Sequence, residues 1–124
     1  MKLQPDRFDT LSVQAHGPGW LIINGEKFEH SVLLSSSGQL QLWNCRQLAD
    51  LTADHFAPLV AWQPEVVVFG SGHKLRFVSP QVTRALIEAG IGVETMDTMA
   101  AARTYNILAG EGRQVAAALL VEAS

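Results

Sequence analysis

The chain has 124 residues, 48% of them hydrophobic and 17% charged, with a formal net charge of -3; that length suits one domain burying roughly two-thirds of the surface its unfolded form exposes, and the composition argues against disorder away from the tails. The nine basic residues are spread singly or in loose pairs and make no cationic stripe, which argues against nucleic acid as a partner. The single cysteine, Cys45, excludes an internal disulfide and any zinc site built on cysteine pairs.

Met1 to Thr10 is polar and reads as a flexible tail. Its charges and Pro5 stand where a signal peptide needs an apolar run, and no stretch approaches the roughly 18 apolar residues of a membrane span, so a cytoplasmic protein without a membrane span is expected. Leu11 to His16 reads as a strand ended by Gly17-Pro18-Gly19. Trp20 to Ile23 is a second, followed by Asn24-Gly25, the dipeptide that tolerates the positive φ angles of a type I′ hairpin turn. The returning strand, Lys27 to Val32, alternates so that Phe28, His30, Val32 and Leu34 share an apolar side. After the Ser35 to Gly38 loop, Gln39 to Trp43 alternates again, and these pieces together predict a small antiparallel sheet.

Thr52 can cap a helix carrying Phe56, Leu59 and Val60, which stops before Gln63-Pro64. Glu65 to Phe69 is a β-branched and aromatic run, the pattern of a strand covered on both faces. Gly70-Ser71-Gly72 ends it. Ser79-Pro80 opens a helix whose Val82, Ala85, Leu86 and Ala89 line one face, with Gly90 as its left-handed stop. Ile91 to Met96 predicts another buried strand. Asp97 or Thr98 caps the next helix, on which Ala101, Ala102, Tyr105, Leu108 and Ala109 share one face and Met99, Arg103, Asn106 and Gly110 the other. Val115 to Val121 is the last strand. The second half is thus an α/β unit of alternating strands and helices.

Ligands in open α/β sheets sit beyond the carboxyl ends of strands, which would gather Gly70, Ser71, Gly72 and His73 with Asp97 and Thr98. A dinucleotide fingerprint is incomplete there, since Leu75 stands where its third glycine belongs, and no Gly-Lys-Ser/Thr supports a P-loop. Amides at the start of the helix after Asp97 could face an anion, although Asp97 itself would oppose one unless capping satisfies it. Arg103 has two readings: a salt bridge within a network of Glu94, Glu111 and Arg113, or orientation of a bound carboxylate or phosphate. Asn106, on the same face, could cap or bridge loops. His16, His30, His55 and His73 show no paired spacing for a metal, and Cys45 reads as a small buried residue, so neither a metal nor a cofactor is expected. No base and nucleophile are paired by spacing, so no catalytic residue is named.

Phe69-Gly70-Ser71-Gly72 with Phe77 and Pro80, then Glu94-Thr95-Met96-Asp97-Thr98, Ala101, Arg103 to Leu108, Glu111-Gly112-Arg113 and Val115 to Leu119, resemble a small uncharacterised α/β family. That family includes the mitochondrial respiratory complex I assembly factor 3, and the resemblance runs from Trp20 to Val121. It implies a single domain spanning residues 1–124, with a mixed central sheet flanked by helices and an additional N-terminal antiparallel β layer. It also implies a protein partner and a role in assembling a membrane-bound respiratory complex. The family pattern often has cysteine just before the arginine of the Arg103-Thr104-Tyr105-Asn106 run; this chain has Ala102. Two functions follow as expectations. One is a non-enzymatic binding or assembly protein, anchored by Trp20, Trp43 or Trp62 if exposed. The other is a small-molecule site or enzyme at the strand ends. Homo-oligomerisation through an edge strand is a further option.

Overall fold

The computed structural model describes residues 10–122; of the expected tail, residues 1–9 lie outside the described part. The chain is a mixed α/β fold built on two sheets. The first is an antiparallel meander of β1 (Val13–Gly17), β2 (Trp20–Ile23) and β3 (Glu26–Phe28). Asn24 and Gly25 take φ of 52° and 81° between β2 and β3, the two left-handed positions that a type I′ turn requires.

The second sheet has five strands in the order β5-β4-β8-β6-β7. They are β4 (Val32–Ser35), β5 (Leu40–Leu42), β6 (Val66–Gly70), β7 (Gly92–Met96) and β8 (Val115–Leu119). The β6 strand runs parallel to both β7 and β8, whereas β4 is antiparallel to β5 and β8. Three α-helices cover it: α1 (Ala57–Trp62), α2 (Pro80–Glu88) and α3 (Thr98–Gly110). Among the described residues no helix is long and apolar enough to cross a membrane.

Alternation along the central strands sorts their side chains into two cores. Val66, Val68, Ala117 and Leu119 face a core closed by α3 and the meander, with Ala101, Ala102, Tyr105, Leu21 and Ile23. Val67, Phe69, Ala118 and Leu120 face the other, with Trp43, Phe56, Leu59 and Leu86. Trp43 packs edge-on against Phe56 and Phe69 at centroid distances of 5.4 and 6.2 Å, and its Nε1 donates to the His55 carbonyl at 2.8 Å. This indole is therefore core and no interface anchor.

Three expectations change. Lys27 to Val32 is not one strand: the chain leaves the meander after Phe28 and enters the central sheet at Val32, which pairs with Leu119. The periodicity of two is reset in between, so His30 is exposed and its Nδ1 meets Arg46 Nη2 at 2.9 Å. Leu40–Leu42 likewise joins the central sheet, through β4. Finally, β7 is an edge strand with Gly92 and Glu94 exposed, not a strand buried on both faces.

The helix starts are local. Thr52 N–H donates to His55 Nδ1 at 3.0 Å ahead of the 3-10 turn Ala53–Phe56 that leads into α1. Asp97 Oδ1 accepts the Ala100 amide at 2.9 Å and caps α3. After α2, Gly90 takes φ of 79°; on that helix Leu86 is buried, while Ala85 and Ala89 are exposed, so the apolar stripe is narrower than the spacing predicts. Cys45 is buried, and burial pushes its thiol up.

Candidate functional site

Side by side, β7, β6 and β8 end at Met96, Gly70 and Leu119. Gly70 is required there, because a Cβ would lie 2.8 Å from the Thr98 Cα and 3.2 Å from the Ala101 Cβ; its absence lets the first turn of α3 sit against the end of β6. The buried Thr98 hydroxyl then joins three segments: it accepts from the Gly72 amide at 2.8 Å and donates to the Leu120 carbonyl at 2.7 Å. Thr98 N–H in turn donates to the Gly72 carbonyl at 2.9 Å.

Ser71 is fully buried, and its hydroxyl is engaged. It donates to the Lys74 carbonyl at 2.7 Å and accepts from the Arg76 amide at 3.0 Å, so its partners are backbone groups and no general base is among them. From there the chain bends through Gly72 to Lys74 and continues without regular structure to α2. Arg76 turns inward, and Nη2 donates to the Ser71 carbonyl at 2.8 Å and to Glu122 Oε2 at 2.6 Å. Glu122 Oε1 accepts the His73 amide at 2.9 Å. Gly72, at φ of 104°, has no room for a Cβ, which would land on the Glu122 carboxylate and 2.6 Å from Arg76 Nη2.

Two cavities meet at this latch. A cleft of about 100 Å³ lies between the meander and the strand ends, with His16, Trp20, His73, Thr98, Met99 and Glu122 in its wall. His16 Nδ1 is buried with no hydrogen-bond partner among the described residues. On the other side of the latch is an open pocket of about 330 Å³, walled by Arg46, Gln47, Leu48, His73, Arg76 and Glu122. Among the described residues no group of three or more His, Cys, Asp or Glu side chains could hold a metal ion.

Burial acting alone would raise the Glu122 carboxyl, but the Arg76 hydrogen bond, the His73 amide and the nearby charges of Arg76 and His73 outweigh it and hold it below the usual carboxylate range. A carboxyl whose folded value is depressed stabilises the fold above its unfolded value, and that contribution is lost as pH falls through the folded value. Wild type is therefore expected to be more stable than Glu122→Gln at neutral pH, with the gap closing below the usual carboxylate range. Urea unfolding across a pH series measures this, and a gap independent of pH would contradict it.

Of the candidate residues, Gly70, Ser71, Gly72, His73, Asp97 and Thr98 gather at the strand ends. Arg103 and Asn106 do not. Asn106 instead holds β1: its Oδ1 accepts the Val13 amide and its Nδ2 donates to the Val13 carbonyl, each at 2.8 Å. The charge network expected of Glu94, Arg103, Glu111 and Arg113 is not formed. Among the described residues Arg103 is exposed and takes part in no ion pair, and Arg113 reaches Glu65 at 3.3 Å, because the turn after α3 carries it to the strand leading into β6. Sequence pattern gives no site signal at Glu122, Arg76, Arg46 or His16, and marks Trp20 only as an interface anchor. The first charged residue after the Val115 to Val121 run is Glu122, and applying the strand-end rule to that run as well would have found it.

A crystal structure of a Bordetella parapertussis protein matches with a TM-score of 0.85 and 38% identity, over 91% of this chain and 97% of that one. The solution structure of a Bordetella pertussis protein described as a Mth938-like domain matches equally well, at 33% identity over all of this chain and 94% of the other. The mouse NADH dehydrogenase [ubiquinone] 1 alpha subcomplex assembly factor 3 is 36% identical over 104 residues, 82% of this chain and 55% of its own length. The chain spans between 55% and 65% of the bovine, mouse and human forms of that protein. With the family described as "Protein of unknown function (DUF498/DUF598)" matching residues 13–120, the chain belongs to that family.

Proposed function

We propose that the protein is a non-enzymatic, cytoplasmic binding protein that helps to assemble a membrane-bound respiratory complex through contact with a protein partner. The observation that carries this is the segment after the Gly70-Ser71-Gly72 turn. Phe77 is 70% exposed and Leu75 51% exposed, while Arg76 and Val78 between and after them turn inward. Arg76 is held to Ser71 and Glu122, and Val78 packs on the second core. Two apolar side chains are thus displayed on backbone that is already fixed, which lowers the ordering cost of binding and suits an interface anchor. The relatives named as assembly factors of NADH dehydrogenase supply the direction.

A small molecule at the strand ends is the other reading, and the unpartnered His16 Nδ1 in the cleft favours it. Size argues against the cleft, since about 100 Å³ falls below the roughly 300–1,000 Å³ of sites that enclose a ligand, and the adjoining pocket of about 330 Å³ is open and does not include His16.

Deleting the gene in its own cell is expected to reduce assembled NADH:quinone oxidoreductase in the membrane several-fold, read on native gels with in-gel activity. The wild-type gene should restore it. Leu75→Ser/Phe77→Ser should not, although both positions are exposed and the variant should unfold within about 1 kcal/mol of wild type. An unchanged amount of the complex in the deletion strain would end the assembly reading.

A further inference from the structure

The open pocket beside the latch gathers basic groups on a chain of net negative charge. Arg46 is exposed, yet its side chain is tethered: Nη2 donates to the Glu29 carbonyl at 3.2 Å and meets His30 Nδ1 at 2.9 Å. No carboxylate pairs with it among the described residues. Arg76 spends Nη2 on Ser71 and Glu122, while its Nε is buried with no partner among the described residues. His73 stands on the same wall. Against these stands one acid, Glu122, already committed to Arg76 and the His73 amide.

We propose that this pocket receives a carboxylate side chain of the partner protein, an acidic residue flanked by apolar ones, seated between Arg46 and Arg76. The inference rests on the protein-partner reading above and adds the chemistry the partner must present. Three observations support it. Arg76, in the pocket wall, lies between the exposed Leu75 and Phe77 in the chain, so one short segment carries both the basic wall and the apolar pair. The pocket, at about 330 Å³, has room for a carboxylate side chain. Glu122 shows what the surroundings favour, since Arg76 and the His73 amide hold its carboxyl below the usual carboxylate range despite burial. Charge-assisted hydrogen bonds from guanidinium to carboxylate are stronger than neutral ones, so the acid contributes specificity that the apolar pair alone lacks.

The test uses the full 15N-labelled chain and an acetylated, amidated Phe-Glu-Leu tripeptide, its Phe-Gln-Leu counterpart, and sodium acetate against sodium chloride at equal ionic strength. The Glu tripeptide is expected to move the Arg46 and Arg76 Nε–H resonances saturably, and to bind at least tenfold more tightly than the Gln tripeptide. Arg46→Gln should remove most of that preference, and Arg46→Lys, which keeps the charge, part of it. Equal binding of the two peptides, or no response to the Glu tripeptide, overturns the proposal; acetate binding as tightly as the Glu tripeptide overturns the partner side chain as occupant. The peptide comparison needs no variant and stands even if Arg46→Gln fails to fold. The same Arg46→Gln gene separates this proposal from the assembly reading. Full restoration of the respiratory complex by Arg46→Gln, where deletion reduces it, defeats the pocket and leaves assembly standing. Carboxylate-selective binding without a deletion phenotype does the reverse.

Discussion

Thr98→Val is expected to destabilise the protein by about 2–4 kcal/mol, because it leaves two buried backbone groups without a partner at a cost of roughly 1–3 kcal/mol each. Valine matches threonine in shape, so no cavity adds to the loss, and the effect isolates the hydroxyl. Among the described residues that hydroxyl is the only side-chain partner of both the Gly72 amide and the Leu120 carbonyl, and so it ties the β6 turn to the end of the β8 run through the first turn of α3. Against a total stability of roughly 5–15 kcal/mol the change is large. Urea unfolding should show a lower midpoint with an unchanged slope, and Thr98→Ser, which keeps the hydroxyl, should lose about 1 kcal/mol or less. Equal losses for valine and serine would mean that the methyl contact, and not the hydrogen bonds, holds this corner.

Asn106→Leu is the second large effect, expected at about 1–3 kcal/mol. The amide satisfies both backbone groups of Val13, at the free edge of the meander where the β1 register shifts between Val13 and Ala15. Tyr105 acts beside it: fully buried, it donates from its hydroxyl to the Leu11 carbonyl at 2.8 Å, and burial pushes that hydroxyl far above its ordinary value. Both contacts are partly shielded from water, and Val13 lies in the first core, so the loss reaches the packing of β1 on α3. Amide hydrogen exchange should show the β1 amides opening ahead of the central sheet in Asn106→Leu and only slightly in Tyr105→Phe. Uniform loss of protection across β6 and β8 would instead point to a general effect on the core.

These two residues also show how far a sequence can be read. Asn106 stood out because it lay on the helix face away from the alanines, yet its partner is 93 positions away, at Val13. Nothing in the neighbourhood of Asn106 names that partner. Thr98 and Gly72 were both candidates for a strand-end site, and the strand-end rule did bring them together. For Arg103 the pattern suggests a salt bridge to Glu94 or Glu111 or a bound anion, whereas the exposed side of α3 carries it into solvent. The pairing of Arg76 with Glu122 depends on β6 and β8 being neighbours, a matter of strand order that local pattern does not encode.

What the sequence determined by itself is local. The positive φ at Asn24 and Gly25, a helix cap at Asp97 or Thr98, the Gly90 stop and the two-sided burial of Val66 to Phe69 follow from dihedral preference, side-chain reach and periodicity within a few residues. The tertiary structure decided which sheet β4 and β5 join, that β7 lies at an edge, and that a carboxylate at the end of the β8 run closes over the glycine turn. These depend on contacts between residues far apart in the chain, whose free energy appears only when the two cores form on opposite faces of one sheet.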